Sequence, residues 1–140
     1  MPNLDAWSPR VLNILRIVTA LLFMEHGLMK LVQFPGPQPG APNPLPLLLL
    51  VGAWIELVGG GLIAVGLFTR AAAFICSGEM AVAYFMFHAP GGFYPALNKG
   101  EAAVLYCFVF LFLVFAGAGP WSLDAVLRKR ASADRLPDIP

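Results

Sequence analysis

Apolar residues run almost unbroken through four stretches of the chain, about 11–32, 45–67, 71–87 and 102–116, separated by segments where proline, glycine and charge collect. A helix crossing roughly 30 Å of hydrocarbon needs about 20 predominantly apolar residues, so each stretch predicts a spanning helix. QFPGPQPGAPNPLP, residues 33–46, predicts a loop, because proline lacks an amide donor and collides with the preceding helical turn. GLFTR, residues 66–70, is short enough to make the second and third helices antiparallel neighbours. HAPGGFYPALNKG, residues 88–100, predicts a second long loop at the same end as the first. GAGPWSLD, residues 117–124, breaks the fourth helix, and residues 122–130 predict a short interfacial helix with Trp121 at headgroup level, as Trp7 anchors the start of the first. The closing ASADRLPDIP reads as disordered. The predicted fold is all-α, an integral membrane four-helix bundle in one domain over 1–140, with a short inner turn, longer Pro/Gly-rich outer loops and a tail over 121–140. No internal repeat is visible.

Composition agrees: 59 % of the residues are hydrophobic and 12 % charged, and the mean hydropathy is +0.75, too apolar for an ordinary soluble domain. A net charge of +1 offers no basic surface for nucleic acid. The first apolar stretch is interrupted by Glu25, His26 and Lys30 rather than ended by a small-residue cleavage site, so it is expected to be retained as a span. Arg10 precedes that span, Arg70 lies between the second and third, and Arg128, Lys129, Arg130 and Arg135 follow the fourth. The positive-inside rule then places both termini of the multi-pass chain in the cytoplasm.

FMEHGLMKL, residues 23–31, puts a carboxylate, an imidazole and an ammonium inside an apolar run. An ionised group at mid-bilayer costs at least about 2.5–3.5 kcal/mol, so each needs a partner or a task. At about 100° per residue, Arg16, Gly27 and Lys30 fall within about 60° of one another and His26 about 40° beyond, making one polar stripe, while Glu25 points away from it. Topology puts Glu25, His26 and Lys30 in the outer half, Glu101 near the outer boundary, and Glu56 and Glu79 near the midplane. Lys30 and His26 can therefore meet Glu56, Glu79 or Glu101, and the candidates for ligand binding or proton handling are His26, Lys30, Glu56, Glu79, His88 and Glu101. The structural alternative is a set of buried ion pairs holding the helices together, with Arg16 snorkelling inwards.

Glu25–His26 adjacency and the nine-residue gap from Glu79 to His88 lack the Glu-x-x-His spacing of di-iron bundles, so no metal site is expected. Counting depth from flush helix ends separates Cys76 and Cys107 by something like 9 Å, beyond the reach of a disulfide; both read as small packing residues. Gly52, Glu56, Gly59 and Gly60 recur at three and four, giving the second helix a smooth face for close packing with one carboxylate in it.

HGLMKL in the first span, WIELVGGGLIAVGLFTR across the second, FHAPGGFYPALNKGEAAVLY from the third into the fourth, and GAGPWSLD after it together resemble the DoxX family of small bacterial and archaeal membrane proteins, from about Arg10 to Asp124. The resemblance implies a four-helix membrane fold and an association with redox chemistry, some relatives being subunits of a thiosulfate to quinone oxidoreductase and others parts of complexes handling thiol or oxidative stress. The family pattern falls on His26, Gly27, Lys30, Glu56, Gly60, Gly66, Arg70, His88, Gly100 and Glu101. Three functions follow as expectations. One is a non-catalytic subunit of a quinone-linked oxidoreductase that binds a quinone, or another small apolar ligand, in an outward polar cavity. With no haem, flavin or iron–sulfur motif, such a chain binds but does not supply electrons. The second is a transporter of protons or a small solute, and the third a structural assembly factor for a membrane complex. The partners expected are the lipid bilayer and either further copies of the chain or other membrane or soluble redox subunits.

Overall fold

The computed structural model describes residues 4–134. Arg135 and the residues after it, on which most of the expected disorder falls, lie outside the described residues; the start of that stretch, from Ala131, is helical as far as Ala133. Among the described residues there is no strand. One 3₁₀ turn, Leu4–Trp7, leads into α1, Ser8–Val32, with Pro9 in its first turn where a missing amide donor is harmless. Next come α2, Leu47–Val65, and α3, Thr69–Gly91. Then follow α4, Glu101–Ala116, and α5, Leu123–Ala133. By length and composition α1, α2 and α3 can each cross a membrane, and α4 is shorter at 16 residues. The loop 33–46 has no helix, as its prolines require, whereas the second long loop is shortened from both sides: α3 continues through His88 to Gly91, and Pro95–Asn98 forms a helical turn.

Beside a few large aliphatic residues, Ile63, Met80 and Leu113, the residues that pack inside are small, aromatic or polar. Ala20, Ala53, Ala73, Cys76, Phe23 and Phe110 are buried together with Asn13, Arg16, Thr19, Glu56 and Ser77, while Leu21, Phe74, Phe108 and Phe115 face outwards. This is the arrangement of a bundle solvated by lipid, where small residues let backbones approach and polar groups must find partners inside. α1 packs along α2, and α3 along α4. The register of the second pair is set by three contacts: Arg70 Nη1 donates to the Val114 and Phe115 carbonyls, Ser77 Oγ to the Cys107 carbonyl at 2.9 Å, and Tyr84 lies against Gly100. Cys107 is therefore level with Ser77 and Cys76, not 9 Å away in depth. The helix ends are not flush, which is what the depth count assumed. Both thiols are free, and Cys76 is turned instead towards Gly59 of α2.

At the end of the bundle carrying both described chain ends, Arg16 does not snorkel. It is fully buried, and its guanidinium donates to the carbonyls of Ile63, Ala64 (2.7 Å) and Trp121 (2.7 Å). Asn13 Oδ1 accepts the Trp121 amide at 3.1 Å. Asp124 accepts the amides of Phe68 (2.9 Å) and Thr69 (3.0 Å), the first donors of α3, and its own amide donates to the Gly66 carbonyl. Burial opposes the Asp124 charge, but those two amides and the nearby Arg128 outweigh it and hold the carboxyl below the usual carboxylate range. Gly66 stands at φ 73°, where a Cβ is strained and would also strike Ser122.

Candidate functional site

Close approach of α1 and α2 creates the site. A Cβ on Gly27 would lie 2.8 Å from the Ala53 carbonyl oxygen and 2.9 Å from the Leu57 amide nitrogen, so the two backbones touch there and only glycine fits. Lys30, one turn further along α1, is thereby brought to Glu56: its Nζ lies 2.6 Å from Oε1 and 2.7 Å from Oε2. With side-chain exposures of 9 % and 4 %, this is a buried pair, and both carboxylate oxygens are engaged.

Beyond the pair the interior opens into a cavity of about 660 Å³, lined from α1 by His26 and Lys30, from α2 by Gly52, Ile55 and Glu56, from α3 by Glu79 and His88, and from α4 by Ala103 and Tyr106. Gln38, Pro39, Gly40 and Ala41 of the first long loop, with Lys99 of the second, line its loop-side end. Two irregular turns coincide with it. Ile55–Gly59 in α2 and Tyr84–His88 in α3 are π-helical, and each carries one of the polar lining residues, Glu56 and His88; such bulges recur at functional positions.

Five of the six candidates from the sequence reach this cavity. His26 stands edge-on to the Tyr106 ring, centroids 6.0 Å apart. His88 Nδ1 is 3.1 Å from the Asn98 carbonyl, which can only accept, so Nδ1 is the donor. Glu79 has a different standing: among the described residues no donor reaches it, and its Oε2 is out of contact with solvent. Glu101, the sixth, is exposed at the start of α4 and is not among the lining residues, although its neighbour Ala102 is. Glu25 is also exposed, as its angular position on α1 implied. Tyr106, Gln38 and Lys99 were not legible as site residues. A lone tyrosine in an apolar helix and a glutamine among prolines carry no spacing signal. Among the described residues no group of three His, Cys, Asp or Glu is placed to hold a metal ion.

Several positions of the family pattern do structural work outside the cavity. Gly60 receives Met24 and the Ala20 carbonyl of α1, Gly100 receives the Tyr84 ring, and Arg70 caps the last carbonyls of α4.

Comparison with known proteins follows the same pattern. The DoxX family model matches residues 11–89, which takes in nearly all of α1, the whole of α2 and nearly all of α3 but stops before α4. An uncharacterized protein of Haemophilus influenzae is 47 % identical over 129 residues, covering 89 % of this chain and 96 % of its own length. A second from the same organism is 30 % identical over 126 residues, covering 84 % and 83 %. An uncharacterized membrane protein of Mycobacterium tuberculosis is 29 % identical over 147 residues, covering 93 % and 89 %. No solved structure matches. Apolar helices with their polar groups turned inward, a family match over more than half of the chain, and a relative sharing nearly half of its residues along almost its whole length lead to one conclusion: the chain is a membrane protein of the DoxX family.

Proposed function

We propose that this protein binds a small, largely apolar ligand with a polar head in the cavity at the loop end of the bundle, as a multi-pass subunit of a redox complex in the bacterial inner membrane with both termini cytoplasmic. The observation that carries the reading is the cavity itself. Its volume lies within the range of about 300–1,000 Å³ typical of small-molecule sites, and it sets a few convergent polar groups in an apolar wall. A purely structural cluster has no need of the space. Orientation is supported by charge: Arg10, Arg70, Arg128, Lys129 and Arg130 sit at the end shared by the described chain termini, against Lys99 at the other.

A quinone is the ligand class that the family resemblance implies, and the lining residues fit one. Glu56 engages Lys30 without using all three ammonium protons, so Lys30 retains a donor for a carbonyl head, and His26 lies on the same stripe of α1. When bound, a quinone supplies two-electron, two-proton chemistry. The chain's own part is to orient the head through Lys30 and His26, to keep bulk water away with the loop over 38–41, and to hold or pass protons at His26 and Glu79. Electrons come from a partner subunit. The test is quinone-analogue binding to wild type and His26→Gln in nanodiscs, with melting temperature on the same samples. Weaker binding at an unchanged melting temperature is expected, whereas unchanged binding with a lowered melting temperature refutes the ligand reading. A reporter after Pro140 should behave as cytoplasmic; an external signal there overturns the orientation.

A further inference from the structure

The two halves of α2 are packed differently. Ile55–Gly59 and Gly60–Val65 touch both α1 and α3, with Gly59 against Cys76, but Leu47–Trp54 packs on α1 and makes no comparable contact with α3. Above Gly59 the second and third helices therefore stand apart, and the cavity lies in the gap. Residues on both sides of that gap belong to two surfaces at once. Leu48 and Val51 of α2, and Ile75, Val82 and Phe87 of α3, line the cavity and are also 49 %, 48 %, 55 %, 48 % and 52 % exposed. They recur at helical spacing, Leu48–Val51 and Ile75–Val82, so each helix presents an apolar edge to the opening. The loop over 38–41 covers the cavity at its other, aqueous end. In a bilayer, the open side faces hydrocarbon.

Glu79 stands at this gap. It belongs to α3, yet its Oε1 comes within 3.1 Å of where a Cβ on Gly52 of α2 would lie, so the side chain reaches across the fissure and the missing Cβ makes the room. Among the described residues no protein donor meets it, its Oε2 is buried without a partner, and in the ionised form such a group accepts only. The nearest fixed cation, Lys30, is held by both oxygens of Glu56.

We infer that the cavity takes its ligand sideways from the bilayer, through the fissure between α2 and α3, and that this ligand is an amphiphile whose head carries a hydrogen-bond donor for Glu79. The inference rests on the ligand-cavity reading above and narrows it. A head offering only acceptors leaves the ionised Glu79 unpaired, so towards that form a hydroxyl or amine is selected over its methylated counterpart. Of a quinone and its quinol, the quinol is the form that meets the ionised Glu79.

The test uses the full chain in nanodiscs and two redox-silent probes with one apolar body, 4-dodecylphenol and its methyl ether. At an alkaline pH that ionises Glu79, wild type should bind the phenol about tenfold more tightly than the ether, the difference made by one hydrogen bond to a charged acceptor. In Glu79→Leu that preference should vanish while the melting temperature stays at or above that of wild type, since no protein partner is lost. Val51→Trp and Val82→Trp together should slow association of the phenol several-fold, and Gln38→Trp, in the cover, should not. Equal binding of both probes, abolished for both by the cavity-filling Ala83→Phe, would leave the ligand cavity standing and overturn the donor requirement. Slowing by Gln38→Trp but not by the paired tryptophans overturns the lateral route. Binding of neither probe, or binding indifferent to Ala83→Phe, removes the ligand-cavity reading and this inference with it.

Discussion

Replacing Lys30 by Met isolates the energetics of the α1–α2 contact. Methionine keeps most of the side-chain volume and removes the ammonium, leaving the Glu56 carboxylate, 4 % exposed, with no cation against it. Loss of one partner from a buried pair costs about 3–5 kcal/mol, because the remaining charge keeps its desolvation penalty and loses its compensation. Glu56→Leu alone strands the ammonium and costs a similar amount. The double variant buries two apolar side chains in the same space, and the net worth of a buried pair against apolar replacements is near zero. It should therefore sit within about 1–2 kcal/mol of wild type, giving a coupling energy of several kcal/mol in the double-mutant cycle. Both distances, 2.6 and 2.7 Å, support a coupling at the high end. Reversible unfolding in mixed micelles by SDS titration reads all four corners of the cycle. Additive single losses would show that Lys30 and Glu56 do not hold each other, and the site would have to be rebuilt without the pair.

Other outcomes follow from single contacts. Gly27→Ala should destabilise by about 1–3 kcal/mol, since its Cβ meets backbone atoms of Ala53 and Leu57 that cannot step aside, whereas Gly61→Ala, with nothing within 4 Å, should be neutral or stabilise by up to about 1 kcal/mol; thermal melts that rank the two the other way contradict the packing. Arg16→Met leaves the carbonyls of Ile63, Ala64 and Trp121 without their donor and should cost about 3 kcal/mol or more by SDS titration; a loss below about 1 kcal/mol would mean that the guanidinium is dispensable. Asp124 is held below the usual carboxylate range in the folded protein, so its stabilisation is fully present above about pH 4 and is lost as the pH falls through its lowered folded value. Asp124→Asn should accordingly melt below wild type at pH 7 and converge with it as the pH falls below that lowered value; a gap unchanged by acid would show that the carboxylate charge is not what caps α3.

Hydropathy was enough for the helices, because lipid-facing residues such as Leu21, Phe74 and Phe108 must be apolar whatever lies inside. The polar stripe of α1 was equally legible: Arg16 and Gly27 are both buried, and Lys30 follows them to Glu56, because regular 3.6-residue geometry holds along an uninterrupted helix. Where geometry departed from regular, the reading failed. The π-helical turns at Ile55–Gly59 and Tyr84–His88 leave no trace in an apolar pattern, and the stagger of α3 against α4, which brings Cys107 level with Ser77, is set by side-chain contacts that no count from helix ends reproduces. Glu101 carries its charge near a helix start, but a first-turn residue is free to point into solvent, and this one does. Gln38 belongs to the site only because the proline-rich loop folds over the cavity, and nothing local in the sequence announces that.

The latch formed by Asn13, Arg16, Trp121 and Asp124 bears on how the protein is made. Trp121 meets Asn13 and Arg16 across sequence separations of 108 and 105 residues. During synthesis, α1 emerges and enters the membrane long before the segment that completes its partners leaves the ribosome. Until then Arg16 has at most the carbonyls at the end of α2, and the order of translation keeps the bundle open at that end. Residues 117–124 complete those partners last, joining the oldest helix to the newest.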